Sequence, residues 1–254
     1  ATLAASALLF AAQPMIGKML LPAFGGTAGV WNACMLFFQA TLLAGYAYAH
    51  ASSRLGLRGQ AALHGLLSAA ALAVLPIRLD AAGIAATPDG WAPGLRLFGL
   101  LAATAGAPLL LISATSPILQ RWFFLGVRGG GGDDRAARDP FFLYAASSAG
   151  NLIALAAYPF LIEPNLSLDA QSRAWGAGFA ASFGLTMLCA GAAWRRGGGR
   201  EAEPAAEEPV RPAAVLRWVV LAMIPSLWLL ALTTHVTTDL APMPLRWTIP
   251  LGTY

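Results

Sequence analysis

LRLFGLLAATAGAPLLLISATSPILQ, residues 95–120, carries a single charged side chain, Arg96. The run is too long for a strand and too evenly apolar for a soluble helix, which needs a polar face. About 20 apolar residues at 1.5 Å each span the hydrocarbon core of a bilayer, and this run exceeds that length. Backbone amides in lipid must bond within their own segment, so the run reads as a transmembrane helix. Its excess length predicts a tilt or kink, with Pro108 and Pro117 as the kink points.

Six further runs satisfy the same test: about 2–21, 29–49, 61–78, 141–162, 174–194 and 215–233, and an eighth begins near Trp247. Composition agrees, with 57% hydrophobic residues, 11% charged and a mean hydropathy of +0.63. A soluble domain carries roughly 25% charged residues, so there is too little polar surface here to cover a water-soluble globule. The expected fold is an all-α polytopic membrane protein of seven transmembrane helices plus the start of an eighth. Disulfide scaffolds, disordered tails and soluble nucleotide-binding enzymes are set aside. Both ends read as cut. Ala1 opens inside an apolar run that fits a truncated membrane helix better than a signal-peptide core, and Tyr254 falls within a new run.

Charge gives the orientation. Arg54 and Arg58 lie in one loop; Arg121, Arg128, Arg135 and Arg138 in a second; Arg195, Arg196, Arg200, Arg211 and Arg217 in a third. These loops alternate with 79–94 and 163–173, which hold Asp80, Asp89, Glu163 and Asp169. The positive-inside rule puts the arginine-rich loops and the N-terminus in the cytoplasm. This topology accounts for the net charge of +4 without nucleic acid, and no segment interleaves bases and aromatics for stacking. The Gly- and Glu-rich stretch within 195–214 has linker composition, so the chain divides into a six-helix bundle (1–194), a flexible cytoplasmic linker (195–214) and the start of a second bundle (215–254).

Signs of chemistry are sparse. Gly129–Gly132 with Asp133 and Asp134 lacks the strand, helix and Lys-Ser/Thr pair of a phosphate loop and reads as linker. Cys34 and Cys189 are too few and too far apart for a zinc site or disulfide framework. No nucleophile–base pair, paired carboxylate or dinucleotide fingerprint occurs, so no catalytic residue, metal or cofactor is assigned.

Four polar residues inside apolar runs are candidates for substrate binding. Lys18 follows Gln13-Pro14, where the first span is expected to break; snorkelling to the outer interface is the competing reading. Asn32 and Gln39, seven apart, share a helix face and can equally serve as glue between helices. Asn151 lies within 141–162 among small residues and must find a partner, since an unpaired amide in hydrocarbon costs several kcal/mol. His235 and Asp239, four apart, are candidates for a proton relay or a structural hydrogen bond, with a non-helical outer loop expected at the prolines after them.

Three blocks together carry a family resemblance. The first runs from Gln13-Pro14-Met15-Ile16-Gly17-Lys18 to Pro22, through Val30-Trp31-Asn32 and Phe38-Gln39, to Gly45-Tyr46-Ala47-Tyr48-Ala49-His50. The second holds Phe142-Leu143-Tyr144-Ala145-Ala146-Ser147, Asn151, Tyr158-Pro159 and Glu163-Pro164; the third, Thr237-Thr238-Asp239-Leu240-Ala241 and Pro244-Leu245-Arg246-Trp247. The chain resembles the membrane portion of bacterial fused MFS/spermidine synthase-like proteins. That resemblance implies an MFS-like bundle in the bacterial inner membrane, joined to a C-terminal soluble domain of the same polypeptide similar to an aminopropyltransferase. It implies anchoring or channelling for that domain and a polyamine or other small-molecule ligand. A full MFS transporter has twelve spans, and the synthase's glycine-rich loop and acidic residues have no counterpart here, so no catalytic residue is carried over. A self-sufficient small-molecule transporter and a structural subunit of a membrane complex are the alternatives.

Overall fold

The computed structural model describes residues 1–79, 93–129, 141–196 and 212–239. These residues form helices and turns, with no strand among them. In chain order the helices are α1 (Thr2–Phe24), α2 (Ala28–Ser52), α3 (Gly56–Ala71), α4 (Pro93–Leu101), α5 (Ala107–Gly129), α6 (Phe141–Ala157), α7 (Leu168–Arg195) and α8 (Pro212–Asp239).

Among the described residues, five continuous segments are long and apolar enough to cross a membrane: Thr2–Phe24, Gly29–Val74, Gly94–Val127, Phe141–Asn165 and Leu168–Arg195. The second holds 46 residues, about 69 Å as one helix. It does not run straight. Gly56, at φ 67°, reverses the chain between α2 and α3, a conformation that costs a residue with a Cβ far more than glycine. The span expected at 61–78 therefore starts earlier, at Gly56, and its helix stops at Val74.

The break expected at Gln13-Pro14 does not occur: α1 passes through Pro14 and Pro22 as one helix. A proline removes one backbone bond, and packing on all sides holds the turn, with Ala12, Gln13, Pro14, Met15 and Ile16 all buried. Two other prolines do distort their helices. A π-turn at Ala102–Gly106 precedes Pro108, and a second, Tyr158–Ile162, contains Pro159.

At the centre stands α5, which packs against α1, α2, α3 and α7; α1 lies along α6 and also touches α7. The main core gathers Ile16, Trp31, Phe37, Leu97, Leu109 and Phe179, and a second cluster holds Ala114, Ile118 and Trp122 against Leu57 and Ala193. Besides this apolar core, two helices turn polar side chains inward and leucines outward. On α3 the buried stripe is Leu57, Gln60, His64, Ser68 and Ala71, while Leu66 and Leu67 are exposed. On α7, Gln171, Ser172, Ser182 and Thr186 are buried while Leu185 and Leu188 are exposed. Polar groups turned inward and leucines turned outward minimise free energy only where the surroundings are apolar. A lipid bilayer meets that condition.

Candidate functional site

Between α1, α2, α5 and α6 lies a cavity of about 410 Å³. From α6 it is lined by Tyr144, Ser147, Ser148, Asn151, Leu152 and Leu155, whose spacing of three and four places them on one helix face. Ser6 of α1, Tyr46 of α2, and Ser113 and Ser116 of α5 complete the polar part of the wall, and Phe10 of α1 lines it as well. Two glycines set the helix spacing. A Cβ on Gly150 would collide with the Leu3 carbonyl, and one on Gly45 would meet the Leu110 carbonyl oxygen at 2.8 Å. The α1–α6 and α2–α5 contacts therefore close beside Asn151 and Tyr46, and the cavity is the space left between them.

Hydroxyls make up most of the polar lining beside apolar side chains such as Leu9 and Ile112, and among the described residues no ionisable acid or base other than the two tyrosines contributes to it. Some of this polarity is internally satisfied: the Ser6 and Ser147 hydroxyls bond each other, and Ser113 Oγ donates to the Leu110 carbonyl at 2.8 Å. Asn151 Oδ1 is buried and accepts no hydrogen bond, so the partner expected for it is not supplied by the described residues. Prolines add further acceptors. Pro14 and Pro117 have no N–H for the carbonyls four residues before them, which belong to Phe10 and Ser113, both lining residues. The hydroxyls of Ser116, Ser148, Tyr46 and Tyr144 in the same lining can donate as well as accept. Tyr46 and Tyr144, 50% and 66% exposed, stand at its open side.

The other candidates lie elsewhere. Lys18 forms an ion pair with Glu163, which ties α1 to the turn between α6 and α7. The two side chains are only 19% and 21% exposed, and Lys18 is not part of the cavity lining around Asn151. Glu163 Oε2 and Asn32 Oδ1 are both buried without a hydrogen-bond partner. Asn32 is half-buried in the first turns of α2, whereas Gln39 is exposed and outside the cavity lining. His235 lies exposed on α8, and Asp239 is that helix's last residue. The proline-rich segment after it, the run near Trp247, the Gly129–Asp134 linker beyond Gly129 and most of the 195–214 linker lie outside the described residues.

Sequence reasoning missed the best-connected polar group in the bundle. Gln60 is fully buried; its Nε2 donates to the Ala49 carbonyl and to Ser52 Oγ, both at 3.0 Å. Its Oε1 accepts from Arg121 and from the Trp122 indole, again at 3.0 Å each. One turn on, His64 sits between the Tyr48 hydroxyl and Thr115 Oγ1, 3.5 Å from each. The signal was present as Gln60, His64 and Ser68 at intervals of four, hidden because the run was drawn to begin at residue 61. Every hydrogen-bonding atom of the Gln60 amide is engaged, so this cluster reads as structural, in contrast to the unmet acceptors at Asn151.

Among the described residues no three His, Cys, Asp or Glu side chains converge as metal ligands would. Comparison with protein-family models, curated proteins and solved structures finds no match to this chain.

Proposed function

We propose that the chain is the membrane domain of a fused MFS/spermidine synthase-like protein of the bacterial inner membrane. In this reading it anchors or channels for a cytosolic aminopropyltransferase-like domain, and a small ligand bearing hydrogen-bond donors enters the bundle at Asn151. The observation that carries the ligand reading is the unpartnered Asn151 Oδ1 in a 410 Å³ hydroxyl-lined cavity. A donor-bearing ligand would relieve the cost of that buried acceptor, about 1–3 kcal/mol. Amines satisfy this requirement, and the tyrosine rings at the open side favour a cationic one. Among the described residues no carboxylate lines the cavity, and Glu163 is paired with Lys18, so the charge of a protonated amine would be met by the tyrosine rings and the oxygen acceptors.

Helices α1 to α7 support a six-crossing, MFS-like block with its N-terminus inside, because the reversal at Gly56 divides the 46-residue segment into two antiparallel crossings. With α8 as the seventh crossing, the arginine-rich loops all fall on one side. A self-sufficient transporter would use the same cavity.

Uptake decides the ligand reading. Proteoliposomes holding the chain should accumulate labelled putrescine saturably, and Asn151→Leu should reduce the rate at least about tenfold while the protein remains monodisperse. Flux equal to that of empty liposomes, or unchanged by Asn151→Leu, would overturn it. The fusion reading has its own test in the reading frame after Tyr254, which should encode a strand–glycine-loop–helix unit with acidic residues. Its absence would leave the self-sufficient transporter or the complex subunit.

A further inference from the structure

We propose that the cytoplasmic end of the bundle holds a seat for one anionic phospholipid, with an acyl chain between α5 and α7 and the headgroup on the arginines that end α7. The crevice there has a volume of about 200 Å³. Its walls include Leu119, Trp122 and Phe123 of α5 and Cys189 and Ala192 of α7, with Leu143 of α6 across from them. Among the described residues, Arg196 is the one charged side chain in that lining. Gly126 keeps the crevice narrow by letting α5 approach to within 3.2 Å of the Ala193 backbone, measured from a Cβ built on the glycine. A narrow slot walled by carbon and ending in a guanidinium matches the two-part chemistry of a phospholipid.

Among the described residues, the charge at this end is of one sign. Arg58 lies over the Trp194 ring, 4.5 Å from its centroid, which brings the start of α3 and Arg54 to the corner where Arg195 and Arg196 end α7. All four arginines are exposed. The carboxylates of Glu163 and Asp169 lie away from this corner, at the opposite end of α6 and α7. Arg121, by contrast, turns inward to Gln60. Each guanidinium near an anionic headgroup contributes roughly fivefold to affinity, and the cytoplasmic leaflet is where anionic headgroups face such a cluster. The seat is independent of the amine reading of the Asn151 cavity, since it shares no lining residue with it.

Native mass spectrometry of the full chain, released from mixed micelles holding equal phosphatidylglycerol and phosphatidylcholine, tests the seat. One phosphatidylglycerol should be retained at least about fivefold over phosphatidylcholine. Arg195→Gln with Arg196→Gln should reduce that retention roughly tenfold or more, and Ala192→Trp, which fills the crevice from an exposed position, should do the same. Arg173→Gln, at the opposite end of α7, should leave it unchanged. Equal retention of the two lipids, or retention insensitive to the double variant, would overturn the proposal. Loss in the double variant with full retention in Ala192→Trp would reduce the site to surface attraction and overturn the seated chain. Displacement by millimolar glycerol phosphate would show a soluble-anion site and overturn the lipid. Retention that appears only after Glu201, Glu203, Glu207 and Glu208 are changed to Gln would assign the arginines to the chain's own acidic stretch, with the same consequence.

Discussion

At the scale of the residue, an apolar bundle forces each polar group to be paired, exposed or costly, and the named side chains separate along those lines. The Gln60 amide is fully engaged, Lys18 and Glu163 are paired, and Asn151 Oδ1 is left over. Removing one partner of an ion pair strands the other. Lys18→Met or Glu163→Gln alone should therefore destabilise the bundle by about 2–3 kcal/mol, less than for a fully buried pair because each side chain keeps about a fifth of its surface exposed. The double variant Lys18→Met with Glu163→Met should recover most of the loss, as read by thermal melting in detergent. Additive losses in the double variant would show that the two side chains are not coupled. This pair was invisible in the sequence because its members lie at opposite ends of the first bundle's chain. Asn151 was readable as a lone amide in an apolar run. Its serine neighbours were not, since small residues on a membrane helix signal close packing as strongly as they signal a polar wall.

Helices as elements followed from the apolar runs, because lipid leaves the backbone no alternative. Their ends were less readable. Polar residues from Ser52 to Gln60 looked like loop, yet α3 starts at Gly56 and buries Gln60 and His64 inside the bundle. Pro14 looked like a break, yet buried neighbours hold α1 straight through it. Spacing between the helices is set by glycines at which no side chain fits. Gly45→Ala would place a methyl against the Leu110 carbonyl and Ser113, and Gly150→Ala would drive one into the α1 backbone at Leu3. Each should lower the melting temperature by several degrees and cut the yield of monodisperse protein. A Cβ at Gly184 meets nothing within 4 Å, so Gly184→Ala should be neutral or slightly stabilising. Equal effects at all three positions would mean that helix propensity, and not the close approach of helices, governs these sites.

For the whole molecule the account rests on two linked statements: the exposed apolar surface faces lipid, and the space beside Asn151 is polar and open to water. Leu43, in the middle of α2, is 71% exposed, whereas Ser147 lines the cavity on α6. A soluble protein would present Leu43 to water, but a bilayer would hide it. The reaction of single cysteines with a small charged thiol reagent separates these cases, because only a hydrated thiol ionises and reacts quickly. The measurement needs Cys34 and Cys189 replaced by Ala, then Ser147→Cys and Leu43→Cys made separately in protein reconstituted into liposomes. The account predicts labelling at position 147 at least about tenfold faster than at 43, and slowed by putrescine. Fast labelling at 43 would contradict the membrane fold, and labelling at 147 as slow as at a lipid-buried 43 would contradict the polar cavity.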